Sequence, residues 1–376
     1  MLTHRYSFST NADDLIGTAH GSLQGDAKCL NGAAHLDGTN SSIILPPNLV
    51  DDYDSISFEM WYTDFGGYGI NTPYLLSFST VTNRLVAGIF LDTTGRGRFS
   101  QVNGNTQQTL GFGGRLLPVE RVNHLVWTQD KDSQTTCIYL DGLLVAQRTN
   151  HTLTPALVGP TLDNRLGSLT NGFGGLTGFI DEFRIYRGAL SSLEVAVSAA
   201  NGPDRPWIAP ETLSRIQLKP SRPAGPGALV PLTVLADFGT ASNVNLMGQA
   251  DLVIESSDTN VLVVKSNNRV LALAPETATL TAHYQGVSDS NSVTVPYPQS
   301  FRLLHRYSFD EPLNSNVVHD SVGNAHGRVM WRPASTDFTG TGQLKLSNGY
   351  VDLGSGIISS LSEVSVEAWV NWLTLQ

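Results

Sequence analysis

Gly178-Phe-Ile-Asp-Glu-Phe-Arg-Ile-Tyr-Arg-Gly-Ala-Leu-Ser191 decides the fold class. Its first nine residues alternate with period two. Phe179, Asp181, Phe183 and Ile185 fall on one face, and Ile180, Glu182, Arg184 and Tyr186 on the other, which predicts a long strand. Aromatic and β-branched side chains suit a pleated surface. The run ends at Arg187-Gly188. Ser191-Ser-Leu-Glu194 then has the form of a capping box, so a short helix to about Ala200 follows.

The same reading extends through the first 200 residues. Ser55-Ile-Ser-Phe-Glu-Met-Trp-Tyr62 sets Ile56, Phe58 and Met60 against Ser57, Glu59 and Trp61. His124-Leu-Val-Trp-Thr-Gln129 continues the pattern. Thr136-Cys-Ile-Tyr-Leu140 runs into Asp141-Gly142, a two-residue hairpin signal, with Leu143-Leu-Val-Ala-Gln147 as the return strand. Many short strands with Gly-rich turns predict an all-β jelly roll over residues 1–200. Residues 201–211 are a Pro-rich linker. Residues 212–299 predict a smaller Ig-like β-sandwich without a disulfide. Its strands are Leu229–Ala236, Leu252–Glu255, Val261–Lys265, Val270–Ala274, Thr277–Tyr284 and Asn291–Val295.

From residue 300 the first domain type begins again. His4-Arg-Tyr-Ser-Phe8 returns as His305-Arg-Tyr-Ser-Phe309, and Asp14-Leu-Ile-Gly-Thr-Ala-His-Gly21 as Asp320-Ser-Val-Gly-Asn-Ala-His-Gly327. Ile56-Ser-Phe-Glu-Met-Trp61 returns as Val364-Ser-Val-Glu-Ala-Trp369. Residues 300–376 therefore read as the N-terminal part of a truncated second jelly roll, in a fragment of a longer modular protein. Lacking the later strands, this segment is expected to be poorly folded or to pair with another chain.

Composition narrows the function. Of 376 residues, 40% are hydrophobic and 15% charged, with 36 Gly and 18 Pro, the make-up of turn-rich β structure. A net charge of −10 argues against nucleic acid, which needs clustered Lys and Arg. Two cysteines, Cys29 and Cys137, are too few for a disulfide framework; whether they pair stays open. No apolar run is long enough to span a bilayer, so no membrane insertion is expected in this segment. Met1-Leu-Thr-His leads into domain sequence with no signal peptide. Asn40-Ser-Ser42 and Asn150-His-Thr152 fit the N-glycosylation pattern.

The first domain resembles the LamG-like jelly-roll family of the concanavalin A-like lectin/glucanase superfamily. Three blocks carry the resemblance: His4–Phe8 with Ala34-His-Leu-Asp-Gly38; Asn123-His-Leu-Val-Trp127 with Ile138–Gly142; and Gly178–Ser191. The middle domain resembles, more loosely, bacterial Ig-like domains of the Big-2 kind, through Ile254-Glu-Ser-Ser-Asp258, Asn268-Arg-Val270 and Ala278-Thr-Leu-Thr-Ala282. There the usual Trp is replaced by Ile254 and the usual Gly by Glu276-Thr277. The combination implies a bacterial protein that is extracellular or held at the cell surface or envelope.

The resemblance also implies a structural Ca2+ near the first and last strands. Asp14, Asp37 and Asp181 are its candidate ligands, with Asp320 and Asp352 as counterparts of the first two. The alternative is that Asp14 and Asp37 form turns and Asp181 accepts backbone hydrogen bonds. For carbohydrate, Trp61, Tyr62, Tyr68 and Tyr74 cluster in sequence around Gly66-Gly67 and Gly69, and Phe112 and Phe173 sit in Gly-rich stretches. Rings of this kind stack on sugar faces when exposed; the alternative is that Trp61 and Trp127 pack within the sheets. Catalysis finds no support. Asp181 and Glu182 are adjacent and point to opposite faces, and no zincin, nucleophile-elbow or Walker pattern is present. The expectation is a non-catalytic recognition or adhesion region, binding a glycan or a surface protein. The alternatives are a structural stalk or fibre, or an accessory region of a polysaccharide-degrading enzyme whose catalytic domain lies elsewhere.

Overall fold

The computed structural model describes residues 1–66, 73–90, 96–116, 119–169, 174–205, 212–239, 241–266, 268–297, 302–330, 336–347, 349–361 and 363–371. Every count below is of these residues. Part of the Pro-rich stretch, residues 206–211, lies outside them. The chain divides into two compact units, Met1–Pro298 and Gln299–Gln376.

The first unit is all-β and begins with a jelly-roll-like sandwich. One sheet has eight strands, with central strand Ile56–Asp64 between Val122–Asp130 and Thr177–Arg187. The other has seven, in the order Thr106–Leu116, Arg96–Asn103, Asn83–Phe90, Tyr74–Ser79, Asp163–Leu166, Ser42–Leu45 and Ser22–Gln24. Alternation selects the core between them: Ile56, Phe58, Met60 and Tyr62 meet Leu76, Phe78, Leu85 and Phe99. Phe58 stands edge-on to Phe78 at 5.4 Å and stacks on Trp127 at 5.6 Å, geometries aromatic pairs prefer.

The strand Thr177–Arg187 departs from the simple alternation. Ile180 pairs with Tyr62, but Glu182 pairs with Trp61, so Asp181 is an extra residue in a β-bulge. The bulge reverses the phase. Ile180 therefore joins Phe183 and Ile185 in the core, while Glu182, Arg184 and Tyr186 share the outer face. The hairpin at Asp141-Gly142 forms as the sequence predicts. Both residues have positive φ, 51° and 79°, as a type I′ turn requires. The predicted helix runs Ser192–Asn201 and carries the capping box: Glu194 N donates to Ser191 Oγ at 3.3 Å, and Ser191 N to Glu194 Oε2 at 2.7 Å.

This helix covers the outer face of the eight-stranded sheet, and a charge network lies beneath it. Arg184, fully buried, donates to Glu182 at 2.5 Å, Glu59 at 3.3 Å, Ser198 Oγ at 3.3 Å and the carbonyls of Pro203 (2.8 Å) and Arg205 (2.7 Å). Glu182 also accepts from Arg5 at 2.5 Å, and Glu59 from Tyr186 at 2.6 Å and His124 at 2.9 Å. Burial works to raise the Glu59 carboxyl, but the His124 bond and the His124 and Arg184 charges hold it down to about 2.

A second sandwich follows. Leu213–Pro220, Leu229–Phe238, Ala241–Asn245, Leu262–Lys265 and Arg269–Ala272 make a five-stranded sheet, and Val253–Ser256, Thr277–Tyr284 and Val287–Thr294 a three-stranded one. Ile216, Val234, Val244, Leu262, Leu280 and Val293 pack between them, joined by Ala196 and Val197 of the helix.

The second unit has three short paired strands, Val317–Val318, Gly327–Met330 and Tyr350–Asp352, a two-strand ladder, and a small core of Val318, Val329 and Phe338. Its opening reproduces bonds of the first unit. His305 meets Asp320 at 2.6 Å as His4 meets Asp14 at 2.7 Å, and Tyr307 donates to Ala325 O at 2.6 Å as Tyr6 donates to Ala19 O at 2.8 Å.

Candidate functional site

The outer face of the seven-stranded sheet is the polar face of the first sandwich that lies away from the helix, with Ser77, Val86 and Ser100 buried at its centre. Across it the register lines up one row: Ile44, Arg165, Ser77, Val86, Ser100 and Thr109. Each is opposite in phase to a core neighbour (Ile43, Leu166, Leu76, Leu85, Phe99 and Leu110), so all six point outward. A parallel row runs Asp163, Ser79, Arg84, Val102 and Gln107. On the other side Tyr74, Gly88, Arg98 and Gly111 align. Ser77, Val86, Ser100 and Thr109 hold the middle row across four strands, and Arg84, Gln107, Tyr74 and Arg98 stand in the rows beside it. At about 4.8 Å per strand, the six-residue row is about 24 Å long.

Hydrogen bonds fix much of this surface. Ser100 and Thr109 hydroxyls are 3.0 Å apart, and Gln107 Nε2 donates to Ser100 Oγ at 2.9 Å. Arg165 Nε donates to Asp163 at 2.7 Å and its Nη1 to Ser42 Oγ at 3.3 Å. Burial lifts the Tyr74 hydroxyl, while the charges of Arg98 and Arg84 pull it back. Ser77 differs: its buried hydroxyl has no partner among the described residues. The face carries Arg84, Arg98 and Arg165 against Asp163, a net charge of +2 on described side chains, in a chain of net charge −10.

Trp61, Tyr62 and Tyr74, grouped in sequence, do not meet in space. Trp61 lies on the outer side of the eight-stranded sheet, 3% exposed, against His124 and under the Arg184 guanidinium at 4.6 Å. Tyr62, one residue on, points into the core. Neither offers a ring to solvent. Among the described side chains of this group, Tyr74 reaches the seven-stranded face, half-buried beside the Ser77 row. Phe112 belongs to the strand Thr106–Leu116 of the same sheet; Tyr68 and Phe173 lie outside the described residues.

The three aspartates proposed for calcium are each committed separately. Asp14 accepts from His4, Arg5 N, Ile16 N and Ala19 N, and these bonds overcome burial to hold its carboxyl below the usual range. Asp37 accepts from Ser41, Thr39 and Asn40 within its own turn, Ser41 foremost, and is also held low. Asp181, displaced by the bulge, is raised by burial and by the neighbouring Asp204. Among the described residues, no three acidic, His or Cys side chains form a cation-sized cluster. Cys29 and Cys137 are both free thiols. Four strands separate theirs in the sheet, about 24 Å, far beyond disulfide reach.

Sequence reasoning missed Ser77, Ser100, Arg165, Arg84 and Arg98. The available signal was the alternation in Tyr74-Leu-Leu-Ser-Phe-Ser79, whose serines fall on the face opposite Leu76 and Phe78.

A comparison with curated protein sequences finds no match. Among solved structures, the chain is similar to domain 4 of AbnA, a GH43 extracellular arabinanase from Geobacillus stearothermophilus in complex with arabinotriose. Identity is 21% over 52% of this chain and 96% of that one, with a TM-score of 0.44. It is also similar to the CBM40 of the Ruminococcus gnavus IT-sialidase bound to α2,3-sialyllactose, at 16% identity over 39% and 83%, TM-score 0.35. The binding domain of botulinum neurotoxin DC shows 11% identity over 89% and 79%, TM-score 0.41. In sequence, residues 37–196 match the Laminin_G_3 family, of the concanavalin A-like lectin/glucanases superfamily.

Proposed function

We propose that the first sandwich is a non-catalytic carbohydrate-binding module and that the outer face of its seven-stranded sheet receives an acidic oligosaccharide. The observation that carries this is the Ser77 row: an orphan hydroxyl centred in a strip of bonded serines, threonine and glutamine, flanked by three arginines. A buried hydroxyl without a partner costs about 1–3 kcal/mol, which a ligand hydroxyl or carboxylate would recover. The strip's length fits an extended oligomer. Its +2 charge favours carboxylated or sulfated sugars, since guanidinium groups pair with such anions through two bonds. Binding requires Arg165, 19% exposed, to turn from Asp163 toward the ligand. Glycoside hydrolysis uses two carboxyl groups, and the described side chains of this face supply only Asp163. The Laminin_G_3 match over residues 37–196 supports the reading. On it, the protein acts outside the cell or at its surface, the second sandwich spaces the module, and residues 300–376 are a partial second copy.

An array of immobilised neutral, sialylated, uronic-acid and sulfated oligosaccharides tests this with the whole chain. Binding confined to acidic members, weakened by salt and lost in Arg165→Ala, is the expected result. Binding unchanged in Arg165→Ala, or absent across the array, overturns it.

A further inference from the structure

We infer that the junction between the two sandwiches of the first unit is a separate binding site, a pocket for one compact, neutral, polyhydroxylated molecule the size of a single sugar ring. The cavity holds about 350 Å³, within the about 300–1,000 Å³ of small-molecule sites. Three elements build it. Trp61, His124 and Asp141 come from the eight-stranded sheet, Ala199 from the helix, and Asn243 and Asn245 from the second sandwich.

His124 is the key group. Its Nε2 faces the ionised Glu59 carboxylate at 2.9 Å, so Nε2 carries the proton and donates. Nδ1 then remains, buried and without a partner among the described residues, in a side chain only 5% exposed. A ligand hydroxyl matches it in either protonation state, donating to a bare Nδ1 and accepting from a protonated one. Asp141 holds Arg121 at 2.6 Å through one oxygen and accepts the backbone N–H of His124 at 3.2 Å through the other, and both keep lone pairs for further hydroxyls. Asn245 Oδ1 accepts from Met247 N at 3.0 Å, and its NH2 makes no bond among the described residues. The Ala196 and Ala199 carbons, with the small part of Trp61 that reaches the cavity, offer apolar contact for a ligand's C–H groups.

Charge decides the class. A cation would meet Arg121, held on Asp141 at the cavity wall. An anion would meet the Asp141 carboxylate. A neutral ligand with several hydroxyls avoids both penalties while using the acceptors and the amide donor.

The chain has six tryptophans, so incorporation of 5-fluorotryptophan gives six fluorine signals, with Trp61 assigned through Trp61→Phe. Methyl α-glucopyranoside, methyl β-galactopyranoside, N-acetylglucosamine and myo-inositol are titrated to tens of millimolar. At least one is expected to shift the Trp61 signal saturably. Ala199→Leu, which fills the cavity, should weaken that response about tenfold or more. Asn243→Gly should weaken it several-fold; Asn243 already has φ 59°, which glycine adopts freely, so this variant keeps the fold. Arg165→Ala, on the opposite face, should leave it unchanged. Failure of all four probes to move Trp61, or an undiminished response in both Ala199→Leu and Asn243→Gly, overturns the inference.

Discussion

Arg184→Met removes the centre of the buried charge network without leaving a cavity of comparable size. The side chain is fully buried and donates to two carboxylates, one hydroxyl and two carbonyls. Removing one partner of a buried ion pair costs about 3–5 kcal/mol, because the remaining charge stays desolvated. Here the loss is cushioned: Glu182 keeps Arg5, and Glu59 keeps His124 and Tyr186. The lower part of the range, about 3–4 kcal/mol, is therefore expected. For a unit of this size that lowers the melting temperature by about 6–16 °C. Thermal unfolding followed by circular dichroism reads it directly. Arg184→Met with Glu59→Leu should recover part of the loss, since the stranded carboxylate goes too. A melting temperature for Arg184→Met within about 2 °C of the parent would refute the reasoning, and would mean that the network is hydrated or that the carboxyls are already protonated.

Ser77→Ala is expected to leave stability unchanged or slightly raised, since it deletes an unpaired buried hydroxyl, while weakening glycan affinity about fivefold (~1 kcal/mol); calorimetry on both properties checks it. His151 is held down to about 4 by burial, and secondarily by the Arg148 charge. Unfolded chains take up its proton near pH 6.5 and the folded chain only near 4, so stability is full above 6.5 and falls by about 3 kcal/mol on acidification through that window. In His151→Gln that slope should vanish from urea titrations across pH. Millimolar calcium should leave the melting temperature of the chain within about 1 °C of a chelated control, because Asp14 and Asp37 already accept full sets of hydrogen bonds; a clear rise would reveal a native-state cation site. Limited proteolysis should cut first within residues 354–371, where no strand is described; survival of that segment alongside the first sandwich would refute this.

The fold class was legible because alternation is a local property. The capping box at Ser191 and the turn at Asp141-Gly142 were equally local, and both formed as read. The phase of Gly178–Tyr186 was not, because a bulge is set by pairing with Ile56–Asp64. That one extra residue moved Ile180 into the core and placed Glu182 with Arg184 under the helix. The candidate face was harder still. Ser77, Val86, Ser100 and Thr109 become neighbours only through the register of four strands, and each strand alone shows nothing but an outward serine, valine or threonine. Aromatic residues close in sequence misled for the same reason. Trp61 and Tyr62 are adjacent on one strand, so they must face opposite sides.

The two versions of one phrase show what the central strand depends on. Ile56-Ser-Phe-Glu-Met-Trp61 is a strand with Phe58 2% and Trp61 3% exposed. Val364-Ser-Val-Glu-Ala-Trp369 has the same alternation but is in no described strand, with Val366 84% and Trp369 88% exposed. The elements that depend on local bonds, His–Asp and Tyr–carbonyl, recur in both units. Those that depend on distant partners do not. In the first unit the phrase is held by Val122–Asp130 on one side and Thr177–Arg187 on the other, and Glu59 is neutralised by Arg184 and bonded by His124 from those same strands. Glu367 has the matching position in sequence, and burying it without such partners would strand a charge in a medium that cannot solvate it. Pairing the segment therefore requires strands that bring their own arginine and histidine to the outer face, as well as an apolar sheet to the inner one.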